Sequence, residues 1–111
     1  MKKFQSGDKV RLTHDVGSSF YERNEIYITG TKGSIATVII SKEYFLLRGK
    51  LLSAPARSKV EESIEEGTMC PVRYERLVPL SVEDTLGFDI IDHCREGEVD
   101  LISIYNLEKV E

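Results

Sequence analysis

The residues whose types could support metal or acid–base chemistry are two histidines and two cysteines, with the carboxylates beside them. Asp92, His93 and Cys94 are consecutive, and Asp15 follows His14. Successive side chains of a strand point to opposite faces, so His93 shares a face with neither neighbour. The C-x-x-C and H-x-x-x-H spacings of a tetrahedral zinc site are absent. A small metal-binding or enzyme subunit around His14, His93 and Cys94 therefore stays only an alternative, and the sequence predicts no metal and no cofactor.

Two other arrangements could support catalysis, a cysteine–histidine pair and a glycine-containing loop. Catalytic cysteine–histidine pairs are assembled from separate segments, which His14 with either Cys70 or Cys94 could satisfy, but two small buried thiols are the simpler interpretation. The run Gly30-Thr31-Lys32-Gly33 is shorter than a phosphate-binding loop and lacks its Ser/Thr. The sequence therefore predicts a protein that is not an enzyme.

Aromatic residues near the start of the chain favour protein binding. Aromatic side chains supply a large contact area at low entropic cost, and arginine adds bidentate pairing. The candidate contacts lie in a long first loop, with a secondary pair further along: Phe20, Tyr21, Arg23 and Tyr27, then Tyr44 and Phe45. The leading hypothesis is thus a non-catalytic protein-interaction or accessory module of a cytoplasmic complex, with self-association as one form of it.

Charge is divided unevenly along the chain. Residues 1–60 hold eleven Lys/Arg and five Asp/Glu, whereas residues 61–111 hold four and fourteen. A basic half with interleaved aromatics could contact phosphates and stack bases, although the net charge of -4 lacks the footprint of a general nucleic-acid binder. A nucleic-acid-binding module is the main alternative, with these candidate contacts: Lys9, Arg11, Lys32, Lys42, Arg48 and Lys50.

Most of the elements that would position these residues have the pattern of strands. Period-two alternation predicts a strand over residues 7–14, and β-branched residues predict another over residues 34–40. A shorter extended piece precedes the turn at Gly30–Gly33. Strand character returns at residues 70–74 and 77–80. Two strand-like runs on either side of Arg95-Glu96-Gly97 predict a β-hairpin of residues 87–94 and 98–104, followed by a last short strand at residues 108–110.

Helical signals are confined to the middle of the chain. Val60 and Ile64 lie four apart among glutamates, which predicts a short amphipathic helix over residues 58–66, closed by Gly67. Residues 41–48 fit either a strand or a helix that begins at a serine cap. One helical turn is expected after Ser81, where an N-cap precedes acidic residues.

Together these elements resemble the SH3-like barrel superfamily, whose KOW-type members are nucleic-acid-binding modules. The matching residues are Gly7, Asp8, Val10 and Leu12, then Gly30, Gly33, Ile35 and Val38, and finally Leu107 and Val110. The resemblance covers residues 4–40 and 86–111, and it implies a small all-β barrel with minor α, whose first and last strands are neighbours. A helix-containing insertion would occupy residues 41–85. Barrels of this superfamily serve unrelated functions, so the resemblance alone selects none of them.

Length and composition fit a single domain. The chain has 111 residues, of which 41% are apolar and 31% charged, as in globular proteins. It contains no apolar run long enough to span a membrane, and its first residues lack the apolar core of a signal peptide. Two cysteines are too few for a disulfide scaffold. These features predict a cytoplasmic location and no contact with a membrane.

Overall fold

The computed structural model describes residues 4–80, 88–92 and 95–110. These residues form eight strands in two sheets, together with two helices and three 3-10 turns, at Tyr21–Arg23, Gly49–Leu51 and Ile104–Asn106. The strands and helices are, in chain order, β1 Lys9–Leu12, β2 Val16–Phe20, β3 Glu25–Gly30, β4 Ile35–Val38, α1 Ser41–Arg48, α2 Ala54–Glu66, β5 Met69–Arg76, β6 Asp89–Asp92, β7 Val99–Ser103 and β8 Leu107–Lys109. The prediction of a mostly β protein is confirmed, and the two helices are a larger share of it than the minor α part that was expected.

The larger sheet has five strands in the order β7-β5-β4-β1-β8, and every neighbouring pair is antiparallel. The first strand therefore lies beside the last, as expected. Alternate residues of β1 are buried, because Val10 and Leu12 point into the core while Lys9 and Arg11 face outward. Among the described residues, the sheet ends at β7 and β8 and does not close on itself.

The main core packs against this sheet. Val10, Leu12, Val72, Ile102 and Leu107 are almost completely buried and belong to one cluster. Burying a side chain of this size contributes about 1.5–3 kcal/mol, so the five together hold the sheet's strands in place.

The second sheet shows that the predicted hairpin is wrong. It has the order β2-β3-β6, and β6 pairs in parallel with β3 rather than with β7. The turn after Arg95 does form, but it leads the chain back along β5: the amide of Gly97 donates to the carbonyl of Tyr74, and the amide of Tyr74 to the carbonyl of Glu98. Alternation indicates which face of a strand is buried, but it does not select the neighbouring strand.

The segment between residues 41 and 80 contributes to both the helices and the sheet. Strand β5 lies between β4 and β7, so this part of the expected insertion is integral to the five-stranded sheet. Residues 77–80 are not a strand; Thr31 donates its hydroxyl to the carbonyl of Val78, and the amide of Val78 donates to the hydroxyl of Ser34. The helical turn expected after Ser81 lies outside the described residues.

The two helices begin and end at identifiable residues. Helix α1 takes the helical alternative for residues 41–48, with Ile40 rather than Ser41 at its N-cap. Helix α2 begins four residues earlier than predicted, because the hydroxyl of Ser53 caps it and Pro55 suits its first turn. It ends at Gly67, whose φ of 77° is the left-handed conformation that glycine favours. In the described part of the chain, neither helix is long and apolar enough to cross a membrane.

Candidate functional site

A cavity of about 640 Å³ lies between the two sheets. Its walls come from four parts of the fold: β2 and β3, the end of α1 with the following turn, β5 with β7, and the turn at residues 95–98. Their main lining residues are Ser18, Tyr27, Thr29, Leu47, Arg48, Leu51, Tyr74, Arg95, Glu98, Val99 and Asp100. Its volume is within the range of small-molecule sites, and apolar and polar groups meet in it as they do in such sites. We call it the inter-sheet cavity.

Asp100 is the polar centre of the inter-sheet cavity. Its Oδ2 accepts hydrogen bonds from the hydroxyl of Thr29 at 2.8 Å and from the hydroxyl of Tyr74 at 2.5 Å. Its Oδ1 accepts from the amide of Leu101 at 2.8 Å. Thr29 belongs to β3 and Asp100 to β7, so this carboxylate connects the two sheets. Within the described residues, no Lys, Arg or His nitrogen lies close enough to pair with it.

The charge of Asp100 also acts on the interior. Burial raises the pKa of the Tyr44 phenol, the Asp100 carboxylate raises it further, and Arg48 opposes both effects. Tyr44 is only 8% exposed and packs with Ile39 and Val99 in a second small core cluster. Tyr44 is therefore a core residue, and little of its side chain is exposed for the partner contact predicted for it.

Arg48 and Glu98 balance each other at the edge of the cavity. The guanidinium of Arg48 lies 3.7 Å from the carboxylate of Glu98 and donates to the carbonyl of Val99 at 3.3 Å. Arg48 therefore has partners within the fold, which reduces its value as a phosphate contact.

Three exposed leucines form a ridge beside the cavity. Leu46, Leu47 and Leu51 are 70%, 55% and 75% exposed. Leu47 and Leu51 border the inter-sheet cavity, while Leu46 borders a second groove of about 760 Å³ between α1 and α2. Adjacent exposed apolar side chains of this size mark interaction surfaces more often than isolated ones do. We call these three residues the leucine ridge.

The leucine ridge was missed from the sequence. The signal in the sequence was the pair Leu46-Leu47, followed a few residues later by Leu51-Leu52. One face of a short helix cannot bury all of these apolar residues, so some of them must be exposed. The uncertain assignment of residues 41–48 as strand or helix concealed it, because the two structures place different residues on one face.

The groove on the other side of the ridge contains one of the predicted contact residues. Phe45 is half-buried there; its ring meets Tyr44 edge-on at 5.5 Å, and the guanidinium of Arg57 lies 4.7 Å from its centre. Arg57 also pairs with Glu61 at 3.5 Å, one helical turn further on. Phe45 thus forms part of the floor of a groove with charged sides.

Of the contact residues predicted in the first loop, only Tyr27 is shown to line the inter-sheet cavity. Tyr27 lines the inter-sheet cavity, and its hydroxyl donates to Glu25 at 2.5 Å; this hydrogen bond is the main cause of the raised pKa of Tyr27. Arg23 is exposed in the 3-10 turn before β3, and it does not line the cavity. Phe20 ends β2 and Tyr21 begins that turn, but their side chains are outside the description.

The basic candidates for nucleic-acid contact are dispersed over the molecule. On β1, Lys9 pairs with Glu75 at 3.5 Å and Arg11 with Glu108 at 3.2 Å. Lys32 is exposed in the turn before β4. Lys42 and Lys50 both line the groove between α1 and α2, whereas Arg48 lines the inter-sheet cavity. The uneven charge of the sequence is therefore reduced by pairing between the two halves.

The metal and enzyme alternative has few described residues. His14 is exposed, with Nδ1 2.9 Å from the hydroxyl of Thr13. Cys70 is buried, and burial raises the pKa of its thiol to about 11. His93 and Cys94 lie outside the described residues. Among those that are described, no three His, Cys, Asp or Glu side chains are grouped to hold a metal ion.

Comparison of the chain with protein-family models, curated proteins and solved structures finds no match. The site is therefore interpreted from its own geometry. It combines a polar cavity, centred on a carboxylate that joins two sheets, with an exposed apolar ridge along the cavity's edge.

Proposed function

We propose that this protein is a non-catalytic interaction module of the SH3-like type, which docks a protein partner on the leucine ridge. The order of its larger sheet supports the SH3-like assignment, since β1 lies beside β8 and a short 3-10 turn comes directly before β8. The first of these features is the one that the resemblance implies.

The exposure of the leucine ridge carries the functional proposal. Each of its leucines gains about 1.5–3 kcal/mol when it is transferred from water to an apolar contact. Leu46, Leu47 and Leu51 are each more than half exposed, and a concave surface lies on either side of them. A partner that covers the ridge can therefore bury apolar area and place side chains in both concavities.

The charges beside the ridge indicate the chemistry of the partner. Lys42 and Lys50 line the groove next to Leu46, and neither has an ion pair among the described residues. Arg57 is balanced by Glu61. A segment that presents apolar side chains flanked by Asp or Glu complements this arrangement, and the attraction would increase its rate of association.

Site-specific photo-crosslinking in the native host tests this proposal. A benzophenone amino acid placed at Leu51 is expected to capture a discrete protein, whereas the same residue at Tyr105 is the matched control. Tyr105 is equally exposed and lines neither the cavity nor the groove. The Leu51 adduct should also weaken when Lys42→Glu and Lys50→Glu are added.

Two results would contradict docking on the ridge: the same crosslinked species from both positions, or none from Leu51. Nucleic acid is the second candidate, because Lys42 and Lys50 lie beside the half-buried ring of Phe45. An adduct at Leu51 that disappears after nuclease treatment, with binding that weakens steeply as salt is raised, would assign the surface to nucleic acid instead.

A further inference from the structure

We infer that the partner docked on the leucine ridge is a second copy of this chain, placed by a two-fold axis that passes through the groove between α1 and α2. The inference rests on the proposed function, because it names the partner for the same surface. Three properties of the groove support it: the signs of the charges on its two sides, the pairing of those charges within the chain, and the apolar side chains between them.

The two sides of the groove present charges of opposite sign. Lys42 and Lys50 line it from α1 and from the turn that follows α1, and both are exposed. Glu61 and Glu65 line it from α2 and are exposed as well. A partner that carries one sign of charge is attracted by one side of this groove and repelled by the other. The groove therefore fits a partner that presents both signs in matching positions.

Several of these charges are not neutralised within the chain. The guanidinium of Arg57, which also lines the groove, lies 3.5 Å from the carboxylate of Glu61. In the part of the chain that the structure describes, neither the two lysines nor Glu65 has an ion pair, although all three line the same groove. Exposed groups of both signs therefore remain for an intermolecular contact.

A two-fold axis makes such a surface complementary to itself. In an isologous contact every pair of residues occurs twice, once in each direction. If α1 of each copy lies against α2 of the other, Lys42 and Lys50 of each copy face the glutamates of the other copy. Helix α2 is also the kind of segment that the proposed function requires, since Ile64 lines the groove beside Glu61 and Glu65. A second copy therefore supplies both the acidic and the apolar groups that the ridge needs.

Apolar side chains lie between the charges and would be covered by the second copy. Leu46 borders the groove and is 70% exposed, Ile64 lines the groove from α2, and the half-buried ring of Phe45 forms part of its floor. Covering these side chains removes apolar surface from water and so favours association. An interface made by two helices of each copy is near the lower size limit of stable complexes, so we expect a dissociation constant in the micromolar range.

Sedimentation equilibrium of the purified chain tests for the dimer. The average mass is expected to rise from that of one chain to that of two as the concentration approaches about 200 μM. Leu46→Glu places a charge in the apolar part of the contact and should weaken the dimer at least about tenfold. Tyr105→Glu is the matched control, because Tyr105 is 72% exposed and does not line the groove. A wild-type chain that stays monomeric over this range would overturn the inference.

Charge reversal tests whether the two copies meet across the groove. The double variant Lys42→Glu, Lys50→Glu makes both sides of the groove acidic, and the double variant Glu61→Lys, Glu65→Lys makes both sides basic. Each double variant alone should dimerise at least about tenfold more weakly than wild type, because like charges then face each other. Mixed in equal amounts, the two should form a dimer with each other, since each supplies the charge that the other needs.

A third double variant controls for the change in net charge. Glu62→Lys, Glu66→Lys reverses two exposed carboxylates of the same helix that do not line the groove, and the dimer should be unchanged. The residues exchanged in all three double variants are exposed, and circular dichroism checks that each variant keeps its fold.

Failure of this inference and failure of the proposed function give different results. If the purified chain stays monomeric while the photo-crosslinker at Leu51 captures another protein in the host, the second copy is excluded and docking on the ridge stands. If the chain is monomeric and Leu51 captures nothing, both are excluded. A dimer that persists unchanged in Leu46→Glu and in both groove reversals would mean that the copies meet on another surface, which also overturns the inference.

Discussion

The hydrogen bond between Thr29 and Asp100 is expected to stabilise the contact between the two sheets, and Thr29→Val tests this. The substitution keeps a β-branched side chain on β3, so strand propensity is little changed. It removes the donor 2.8 Å from Asp100 Oδ2. Hydrogen bonds to charged groups contribute about 1.5–3 kcal/mol. Because Asp100 is half-buried and keeps two other donors, we expect a loss near the lower end, about 1.5 kcal/mol.

The chain contains a matched control. Thr37 is also a half-buried threonine on a strand and donates to a carboxylate, that of Glu75, but Glu75 is exposed. Surface interactions of this kind contribute little, so Thr37→Val should cost no more than about 0.5 kcal/mol at neutral pH. Thr29 Oγ1 also lies 3.3 Å from the carbonyl of Val16, so the difference between the two variants measures the bond to the inter-sheet carboxylate together with this weaker contact.

Urea unfolding followed by circular dichroism measures both losses, and thermal unfolding provides a second estimate. For a domain of this size, about 1.5 kcal/mol corresponds to a decrease in Tm of roughly 6 °C. Tyr74→Phe removes the second hydroxyl donor to the same oxygen, and the double variant should show coupling of about 0.5 kcal/mol or more. Equal losses for Thr29→Val and Thr37→Val would refute the argument that Asp100 connects the sheets energetically.

Three further predictions concern single groups. Gly30→Ala should destabilise the fold by about 1–3 kcal/mol, because the added Cβ would meet the side chain of Tyr74 and lie 2.7 Å from a methyl group of Leu12. Gly49→Ala is the control and should be tolerated, because the nearest atom to its Cβ would be 3.5 Å away. Urea unfolding of the two variants measures the difference. Burial raises the pKa of the Cys70 thiol, so Cys70 should resist iodoacetamide at about pH 8 in the folded protein and react after unfolding, as peptide mass spectrometry can show. The free energy of unfolding should also fall as the pH rises from 9.0 through about 11, because the fold disfavours the thiolate and not the thiol. The hydrogen bond from Thr37 lowers the pKa of Glu75, so its stabilisation is complete above the ordinary value of 4.5 and is lost as the pH falls through the lower folded pKa; the Tm difference between wild type and Thr37→Val should therefore shrink from about pH 6 to about pH 3.

The sequence predicted those features of the fold that are encoded locally. The alternation of Val10 and Leu12 with polar residues identifies β1 and its buried face, and Gly67 marks the end of α2. Both signals depend on a few neighbouring residues and on backbone geometry alone. Such signals can therefore be predicted from the sequence before any tertiary contact is known.

The arrangement of the strands could not be predicted in the same way. The residues of β6 and β7 are both rich in β-branched and apolar types, and nothing in either run shows that β6 pairs in parallel with β3 while β7 pairs with β5. Pairing depends on competition between strands that are far apart in sequence. The prediction paired β6 with β7 because only a short turn separates them. The wrong hairpin followed from this missing long-range information.

The candidate site was partly predicted for a related reason. Tyr27 and Phe45 were selected as aromatic residues, and both lie beside the leucine ridge, one in the cavity and one in the groove. Asp100 was not selected, because its partner Thr29 is 71 residues away and no local pattern connects them. A carboxylate acquires its role from the groups that surround it in space, and here those groups come from three strands.

Asp100→Asn tests whether the charge of this carboxylate, and not only its oxygen atoms, joins the two sheets. Asn at position 100 has one oxygen, which can accept from Thr29 and Tyr74, but its NH2 group then faces the amide of Leu101, which donates to Oδ1 of Asp100. Two hydrogen bonds lose their charged acceptor and the third loses its acceptor altogether, so we expect Asp100→Asn to cost more stability than the roughly 1.5 kcal/mol of Thr29→Val. Urea unfolding of the two variants measures both losses. An equal or smaller loss for Asp100→Asn would contradict this argument, since it would mean that neither the charge nor the bond to Leu101 stabilises the contact between the sheets.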